Sequence, residues 1–391
     1  MSALKQAMCA RIDAVADTLI ELSHDIHEHP ELAFQEHHAH RVLTDALERE
    51  GIDVRRQAFE METAFDAIVG DEGPTIAVCL EYDALPGVGH ACGHNIIATA
   101  GLGASLAAAS LCGDGGGRIR ILGTPAEEGG GGKVFAMRQG ALDGVDAAMM
   151  IHPADADLLN MDAIAVAEIH IEYFGEAAHA AAFPHLGRNA LDAAVLGYVN
   201  VAALRQHIED TDRIHGVFTD GGARPNIVPE HAAMAWMVRS WTSDKLEALK
   251  PRVVAALEAG ASATGCTCSH DIPYPPYDEV LDNAVMQTLY AGNVSALGRP
   301  AITSAEAGVR VVGSTDMGNV SKVVPSIHPM IQVAPQGVSI HSHEFAKHAR
   351  SSKGDEAVIL GAKAMAMTIA DLWSEPERLA AAKAELSSTT R

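Results

Sequence analysis

The stretch TIAVCLEYDALPGVGHACGHNIIATAG, residues 75–101, joins an apolar run to a glycine-punctuated turn and then to a second apolar segment. The first run predicts a buried strand over residues 75–82, and the second predicts a buried helix over residues 95–111. Further elements are expected at residues 4–26 (helix), 37–51 (helix) and 117–125 (strand). This alternation indicates an α/β domain with a mostly parallel central sheet flanked by helices.

The turn inside this stretch carries side chains that could bind a metal. Asp83, His90, Cys92 and His94 lie close together, directly after the predicted strand. In parallel sheets, ligands collect beyond the carboxyl ends of the strands, which is where this turn lies. A metal site, a thiol nucleophile and a loop that is merely rich in histidine all fit the local spacing, which leaves the three open.

The pattern changes after about residue 165. The segments AVAEIHIEYFG (165–175) and HAAMAWMVRS (231–240) alternate, CTCSHDIPY closes as a strand, and two helical segments lie between them. This order predicts a small α+β domain inserted at residues 166–275. Residues 1–165 and 276–391 are then expected to form the first domain together.

The composition limits the classes of partner. The chain has 391 residues, with 28 Lys and Arg against 51 Asp and Glu, a formal charge of −23. Such an acidic surface argues against nucleic acid or an anionic membrane as a partner. The longest apolar stretch, residues 96–112, is interrupted by Thr, Ser and Gly, and residues 4–26 have the pattern of an amphipathic helix and not of a signal peptide. Six scattered cysteines favour a reducing cytoplasm.

A second informative stretch is GTPAEEGGGGK, residues 123–133. It is not a phosphate-binding loop, because Glu127 and Val134 occupy the positions where that motif needs Gly and Ser or Thr. Glu127 and Glu128 are adjacent carboxylates, which are costly to hold together unless a cation or a shared proton relieves their repulsion. They could be a metal ligand beside a general base, or a solvated acidic turn.

Two histidines extend the candidate metal set. His152 follows an apolar, strand-like run, and His341 lies in SIHSHEFA near the C-terminus. Together with Cys92, His94 and Glu128 they form a mixed nitrogen, sulfur and oxygen set that suits two borderline divalent cations. More conspicuous histidines are interpreted instead as solvated helix surface and turn: His24, His27, His29, His37, His38 and His40.

These motifs together resemble one family over nearly the whole chain. The ordered set is HEHPELAFQE, EYDALPGVGHACGHN, TPAEEGGGG, IHPAD, AAHAAAFPHLGRNALDA, GARPNIVPEH, GSTDMGNVS and IHSHEFA. It is similar to the di-metal amidohydrolases of metallopeptidase family 20, the group of aminoacylase, carboxypeptidase G and the indole-acetyl-amino-acid hydrolases. The form YDALPG-x-GHACGHN resembles most the branch of aminobenzoyl-glutamate hydrolases and β-alanyl-lysine-type dipeptidases.

The resemblance implies a role for each candidate residue. Cys92 would be a ligand bridging two metal ions, with His94, Glu128, His152 and His341 as the other ligands and Asp83 holding a ligand in place. Glu127 would be the general base, and His179 of the inserted domain would stabilise the oxyanion. The residues implied in substrate binding are Asn226 and Arg239, which would hold a substrate carboxylate, and Gly313 and Ser314, which would line the pocket.

The resemblance also implies the reaction and the assembly. We expect hydrolysis of the amide bond of an N-acyl amino acid or dipeptide-like substrate, with two divalent ions per subunit: Zn²⁺ or Mn²⁺ first, and Co²⁺ or Ni²⁺ as alternatives. The inserted domain would serve as a lid and as the interface of a homodimer or higher oligomer. An esterase or carbamoylase on the same metals, and a non-catalytic metal-binding descendant, stay open.

One departure from the family pattern bears on the substrate. Relatives that cleave hormone conjugates have an aspartate and a further histidine where this chain has Asn95-Ile96-Ile97. We expect Asn95 to cap the following helix and the metal ligands to be unaffected. The substrate is therefore less constrained by the resemblance than the metal centre is.

Overall fold

The chain divides into two compact units, and the second is inserted into the first. The structure is a computed structural model, and it describes residues 1–308 and 312–389. The first unit comprises Met1–Ala163 and Val280–Arg391, and the second comprises Ile164–Glu279. Each unit has a hydrophobic core of its own.

The secondary structure follows the alternation that the sequence predicts. The strands are β1 (Arg55–Arg56), β2 (Phe65–Val69), β3 (Thr75–Leu80), β4 (Arg118–Gly123), β5 (Ala147–Met149), β6 (His152–Ala154), β7 (Asp162–Ala163), β8 (Ala165–Phe174), β9 (Arg213–Asp220), β10 (His231–Ser240), β11 (Thr267–Asp271), β12 (Val312–Gly313), β13 (Ser326–Ile327) and β14 (Met330–Gln332). The helices are α1 (Ala3–Ala14), α2 (Ala16–Glu28), α3 (His37–Arg49), α4 (His94–Ala109), α5 (Cys112–Gly115), α6 (Gly132–Arg138), α7 (Ala190–Leu204), α8 (Ser243–Thr264), α9 (Ala284–Ala296), α10 (Ser304–Ala307), α11 (Met317–Ser321), α12 (His343–His348), α13 (Ser352–Ser374) and α14 (Pro376–Thr389).

A mostly parallel sheet forms the centre of the first unit. Its strand order is β1-β2-β4-β3-β5-β13. β3 is parallel to both neighbours and β13 is parallel to β5, whereas β1 and β2 add an antiparallel edge. All six residues of β3 are buried, as expected of a central parallel strand covered on both faces. The predicted α/β class is confirmed.

The helix predicted over residues 4–26 is two helices, because Val15 interrupts it. Val15 has φ −114° and ψ 9°, and its N–H donates to the carbonyl of Ile12, which closes α1 before α2 begins. The break allows Ile12 of α1 and Leu19 and Ile26 of α2 to remain in one buried core. Both helices therefore bury apolar residues in the same core.

Two apolar helices lie in the core of the first unit. α4 is buried along nearly its whole length, as predicted for this segment. Among the described residues, α13 is the one helix that is long and apolar enough to cross a membrane by length and composition, and 78% of its most apolar window is buried inside the protein. A core helix of a soluble protein gives the same signal.

The second unit is a four-stranded antiparallel sheet with two helices. The strand order is β11-β8-β10-β9, and residues of α7 and α8 share a core with one face of the sheet. β8 and β10 alternate between buried and less buried residues, as the sequence predicts. β9 is not predicted, because this edge strand is mostly exposed and shows no alternation between buried and exposed residues.

Candidate active site

The candidate ligands of the first unit follow neighbouring parallel strands. Because β3, β4 and β5 are adjacent in one sheet, the segments that follow them meet at one edge. These segments carry Cys92 and His94 after β3, Glu128 after β4, and His152 after β5. The topology therefore brings residues that are distant in sequence to one place.

Cys92, His94 and His152 form a buried cluster. Their candidate ligand atoms all lie within 4.8 Å of one another. Cys92 Sγ is 3.3 Å from His152 Nε2, and His152 Nδ1 donates to the carbonyl of Pro153 at 2.7 Å. This bond fixes the tautomer, so that Nε2 faces the thiol with its lone pair, as a metal-binding histidine requires.

Cys92 also belongs to a second cluster, with Glu128 and His341. His341 Nε2 lies 3.4 Å from Glu128 Oε2, and the His341 N–H donates to the carbonyl of Ala91 at 2.9 Å. His341 adopts φ 63°, a left-handed conformation that is uncommon for a residue with a side chain. A residue shared by two such clusters lies where a bridging ligand would.

Asp83 holds two of the candidate ligands. Its Oδ1 accepts from His94 Nδ1 at 2.9 Å, and its Oδ2 accepts from the backbone N–H of Glu128 at 2.9 Å. Burial raises the pKa of Asp83, but His94 and the Glu128 N–H outweigh it, so that the pKa lies below its ordinary value. Asp83 is thus an ionised anchor for both loops.

The Nε2 atom of His94 lies among carboxylates. Glu128 Oε1 is 3.6 Å away, Glu81 Oε2 is 3.7 Å away and Glu127 Oε2 is 4.0 Å away. Among the described residues, His94 Nε2, Glu128 Oε1 and Glu81 Oε2 are buried without a hydrogen-bond partner. Each such atom costs about 1–3 kcal/mol unless something binds it. A divalent cation would bind all three, so these residues fit a metal centre.

The electrostatics of the site also favour a cation. Burial, Glu81 and Glu128 raise the pKa of Glu127 well above its usual range. Burial lowers the pKa of His94, but Asp83, Glu128 and Glu81 outweigh it and raise this pKa to about 10. The carboxylates of the pocket therefore carry more negative charge than its other side chains neutralise. Binding of a proton or a metal ion reduces the resulting repulsion.

The thiol of Cys92 is poorly suited to act as a nucleophile. Burial, Glu128 and Glu127 raise its pKa well above the ordinary value. A catalytic thiol needs the opposite, a lowered pKa beside a cationic group. Of the three interpretations of the turn at residues 81–94, the metal site is the one that these surroundings favour.

Glu36, which the sequence analysis did not identify, fixes the turn before Glu127. Ala126 adopts φ 60°, and its N–H donates to Glu36 Oε1 at 2.9 Å. Glu36 Oε2 accepts from Thr63 Oγ1 at 2.8 Å. Burial and Asp83 raise the pKa of Glu36 to about 7. A buried acid thus supports the loop that carries the candidate base.

Four further buried residues near the site escaped sequence reasoning. Lys133 Nζ contacts Glu81 at 2.5 Å and Asp316 at 2.6 Å. His328 lies with its ring 5.4 Å from that of His152, and neither of its nitrogens has a partner among the described residues. Glu81 and Lys133 stand inside the motifs EYDALPG and GGGGK, but nothing in those motifs indicates that they pair.

Gly313 and Ser314 lie at the end of a short strand and directly after it, in the segment that leads to the same buried ion pair. Gly313 belongs to β12, which is parallel to β7, and Ser314 follows it. Two residues further, Asp316 accepts from both the backbone N–H and the Nζ of Lys133. The pocket-lining role of Gly313 and Ser314 stays a prediction.

In the second unit, His179 and Asn226 lie on neighbouring segments. The N–H of Ala180 donates to the carbonyl of Asn226 at 3.1 Å. His179 Nδ1 accepts from the N–H groups of Ala181 and Ala182 at 3.3 and 3.2 Å. The proton is therefore on Nε2 of this exposed side chain, the tautomer that an oxyanion-stabilising donor needs.

Arg239 lies near the far end of β10 from Asn226. The strand begins at His231, and eight residues of extended chain separate His231 from Arg239, a length of about 26 Å. Asn226 precedes the strand. Within one chain, Asn226 and Arg239 therefore cannot contact the same carboxylate, so that a shared grip requires two copies of the chain.

The histidines of α2 and α3 differ in their surroundings. His40 is only 8% exposed and packs against Phe65, so its interpretation as solvated surface is wrong; it lies on the inner face of α3. Asp25, His29 and His38 come together at the surface, with candidate ligand atoms within 4.8 Å of one another. His38 Nε2 already pairs with Asp25 at 2.8 Å.

Asn95 does not cap α4. The N-cap is Gly93, and Asn95 is a buried residue of the first turn. Its amide donates to Ser23 Oγ at 2.9 Å and to the carbonyl of Ala349 at 3.0 Å. Asn95 therefore ties α4 to its neighbours through side-chain hydrogen bonds.

Comparison with known proteins gives consistent matches. The family model described as peptidase family M20/M25/M40 matches residues 66–371. The chain is 36% identical to Xaa-Arg dipeptidase of Mus musculus, over 98% of this chain and 92% of that protein. It is 30% identical to one of the subunits of p-aminobenzoyl-glutamate hydrolase from Escherichia coli, over 93% and 90%. A Bacillus subtilis structure, described as a dinuclear metal binding peptidase from the M20 family, matches with TM-score 0.69 at 20% identity, over 93% and 99%.

Proposed function

Since the chain belongs to peptidase family M20/M25/M40, as its motifs predict, we propose that it hydrolyses the amide bond of dipeptide-like or N-acyl amino acid substrates with a free carboxylate. One observation carries the proposal. The buried Nε2 of His94, which has no hydrogen-bond partner in the described part of the chain, lies within 4.0 Å of three carboxylates and beside Cys92 and His152. A structural zinc site would instead have closely spaced cysteine pairs.

The residues proposed to hold two divalent ions are Cys92, His94, Glu128, His152 and His341. Such ions, when bound, lower the pKa of water and polarise a carbonyl. Zn²⁺ and Mn²⁺ suit this mixed donor set first, with Co²⁺ and Ni²⁺ as alternatives. The description of the Bacillus subtilis protein as dinuclear supports the number of ions.

Glu127 is the residue proposed to move the proton. Its raised pKa suits a group that takes a proton from the attacking water and returns it to the leaving nitrogen. His179 would donate its Nε2 proton to the developing oxyanion. Arg239, through its planar guanidinium, and Asn226 of a second copy of the chain would bind the substrate carboxylate.

The names of two similar proteins suggest where to look for the substrate. Xaa-Arg dipeptidase and p-aminobenzoyl-glutamate hydrolase are both named for amide bonds to an amino acid. The formal charge of −23 favours a cationic substrate over an anionic one. We therefore place dipeptides with a basic C-terminal residue first, ahead of acyl-glutamates.

A substrate panel with reversible metal removal tests the proposal. The panel contains dipeptides, N-acyl amino acids, esters and N-carbamoyl amino acids. Amide hydrolysis that a chelator abolishes and added Zn²⁺ or Mn²⁺ restores supports the proposed function. Turnover of esters or carbamoyl compounds alone would favour the esterase or carbamoylase alternative, and metal binding without any turnover would favour a non-catalytic descendant.

We also propose a homodimer formed through the second unit. β9 is an edge strand, and Val217 on it is 62% exposed. On α7, Val199 is 54% exposed, and Tyr198 stacks on Phe218 of β9. Apolar surface of this kind, beside an open strand edge, is typical of a protein–protein interface.

The cytoplasm is the compartment that we propose. All six cysteines, which lie in the described part of the chain, are unpaired thiols. Free thiols persist in reducing compartments, whereas secreted proteins tend to form disulfides.

A further inference from the structure

A buried lysine joins two acids at the edge of the candidate metal centre. Lys133 Nζ lies 2.5 Å from Glu81 Oε1 and 2.6 Å from Asp316 Oδ1, and the three side chains are at most 1% exposed. Asp316 also accepts from the backbone N–H of Lys133 at 2.9 Å. Lys133 is thus fixed at its backbone and at its charged end, and one ammonium serves two carboxylates.

The two acids differ in what their second oxygen meets. Asp316 uses Oδ2 for the Lys133 N–H. Glu81 Oε2 has no hydrogen-bond partner among the described residues, and it lies 3.7 Å from the likewise unpartnered His94 Nε2. Ligand atoms of Glu81, His94 and Glu127 all lie within 4.8 Å of one another. Of the two acids that Lys133 binds, only Glu81 therefore faces the candidate metal centre.

We propose that Glu81 is a further residue of the metal centre, and that Lys133 is the positioning residue that binds one oxygen of Glu81 and so aims the other at the ion. The inference rests on the proposed function, because it requires that a metal binds beside His94. It adds a carboxylate to the five ligands that the sequence motifs indicate, and it gives the lysine of GGGGK a role.

Alternative roles for the ion pair fit these contacts less well. A pair that only joined β3, α6 and α11 would satisfy both oxygens of Glu81, since an unpartnered buried carboxylate oxygen is costly. Lys133 is not itself a candidate ligand, because an ammonium has no lone pair to give. A carboxylate that is held at one oxygen and open at the other is, by contrast, the arrangement in which outer residues orient a metal ligand.

Binding of Mn²⁺ to the metal-free protein tests the inference without relying on activity. Free Mn²⁺ would be followed by electron paramagnetic resonance in the wild type, Glu81→Gln, Glu81→Asp and Asp316→Asn, with folding checked by circular dichroism. Glu81→Gln and Asp316→Asn each remove one charge from a buried partner of Lys133. We expect Glu81→Gln to weaken the binding of one Mn²⁺ about 10–100-fold, and Asp316→Asn to weaken it at most about threefold.

Glu81→Asp keeps the charge and shortens the side chain by one methylene. It should therefore remain folded even if Glu81→Gln does not, and it should also bind one Mn²⁺ more weakly. Wild-type affinity in both Glu81 variants, or equal losses in Glu81→Gln and Asp316→Asn, would show that the ion pair only stabilises the fold. A wild-type protein that binds no Mn²⁺, Zn²⁺, Co²⁺ or Ni²⁺ would overturn the proposed function itself.

Discussion

Glu127 and Glu128 are adjacent in sequence but have opposite surroundings. Burial, Glu81 and Glu128 raise the pKa of Glu127. Burial also raises the pKa of Glu128, but His341 and His94 outweigh it, and that pKa lies below its ordinary value. Paired carboxylates whose pKa values are pushed apart in this way take different roles in catalysis.

This difference predicts the behaviour of Glu127→Gln. The variant keeps the size of the side chain but removes its basicity, so turnover should fall about 10²–10⁴-fold while the metal content stays at the wild-type level. Steady-state kinetics and elemental analysis measure the two effects. Near-normal turnover would mean that another group accepts the proton from water.

The titration of Glu36 predicts how the stability of the protein depends on pH. Because its pKa is about 7 in the folded protein against an ordinary 4.5, the folded state retains a proton that the unfolded state loses. The contribution of Glu36 to stability is therefore present below pH 4.5 and lost as the pH rises to 7, a change of roughly 3 kcal/mol. Glu36→Gln imitates the protonated acid and should remove this loss.

The check is urea denaturation of the wild type and Glu36→Gln at pH 5 and pH 8. The free energy of unfolding of the variant minus that of the wild type should be larger at pH 8 than at pH 5. An equal difference in the free energy of unfolding at both values would mean that Glu36 does not titrate in this window.

The sequence alone predicts the site residues that lie in a motif directly after a strand. Cys92, His94 and Glu128 are of this kind, because the end of a parallel strand already fixes where the next loop lies. Glu81, Lys133 and Asp316 could not be predicted, since an ion pair between separate loops leaves no local pattern. Their positions depend on how α6 and α11 pack in the folded chain.

At the scale of elements, close packing of α4 decides the effect of a substitution. A Cβ on Gly103 would lie 2.7 Å from Leu19 Cδ1 and 3.0 Å from Ala362 Cβ. Gly103→Ala gains up to about 1 kcal/mol of helix propensity, but overpacking costs about 1–3 kcal/mol. We expect a net loss of stability of about 1–2 kcal/mol in urea denaturation.

Gly113→Ala is the matched control, because a Cβ on Gly113 would have no atom of the described residues within 4 Å. This change should leave stability unchanged or raise it slightly. If Gly103→Ala were as stable as Gly113→Ala, the tight contact of α4 with α2 and α13 would be in error.

Element boundaries show where sequence patterns succeed and where they fail. Helical periodicity predicts α3, and continuous apolar runs predict α4 and β3, all within a few residues. The pattern fails at Val15, where the backbone leaves the helical conformation, and at β9, whose residues do not alternate between buried and exposed. An edge strand with two solvated sides has no apolar period to detect.

At the scale of the whole molecule, Asn226 precedes β10 and Arg239 lies near the far end of this strand, too far away to bind the same carboxylate within a single chain. In a symmetric dimer in which His179 acts on the partner's site, the Asn226 and Arg239 that bind one substrate carboxylate would come from different chains. Co-expression of His179→Ala with Glu127→Ala tests the arrangement. Random pairing makes half of the dimers mixed with one working site each, so about a quarter of wild-type activity should return.

If His179 instead acts within its own chain, every site lacks one of the two residues. Stable mixed dimers with no more activity than either single variant would therefore rule out a shared active site. Native mass spectrometry of the co-expressed protein confirms that mixed dimers form.

If the edge of the parallel sheet holds a catalytic metal centre, the number of metal ions bound per chain will show it. Elemental analysis should find two in the wild type and in His37→Ala, whose exposed side chain lies on α3. Glu128→Ala should hold fewer and lose activity, because it removes two carboxylate oxygens, one facing His94 and the other facing His341. Full metal content and activity in Glu128→Ala would contradict the account.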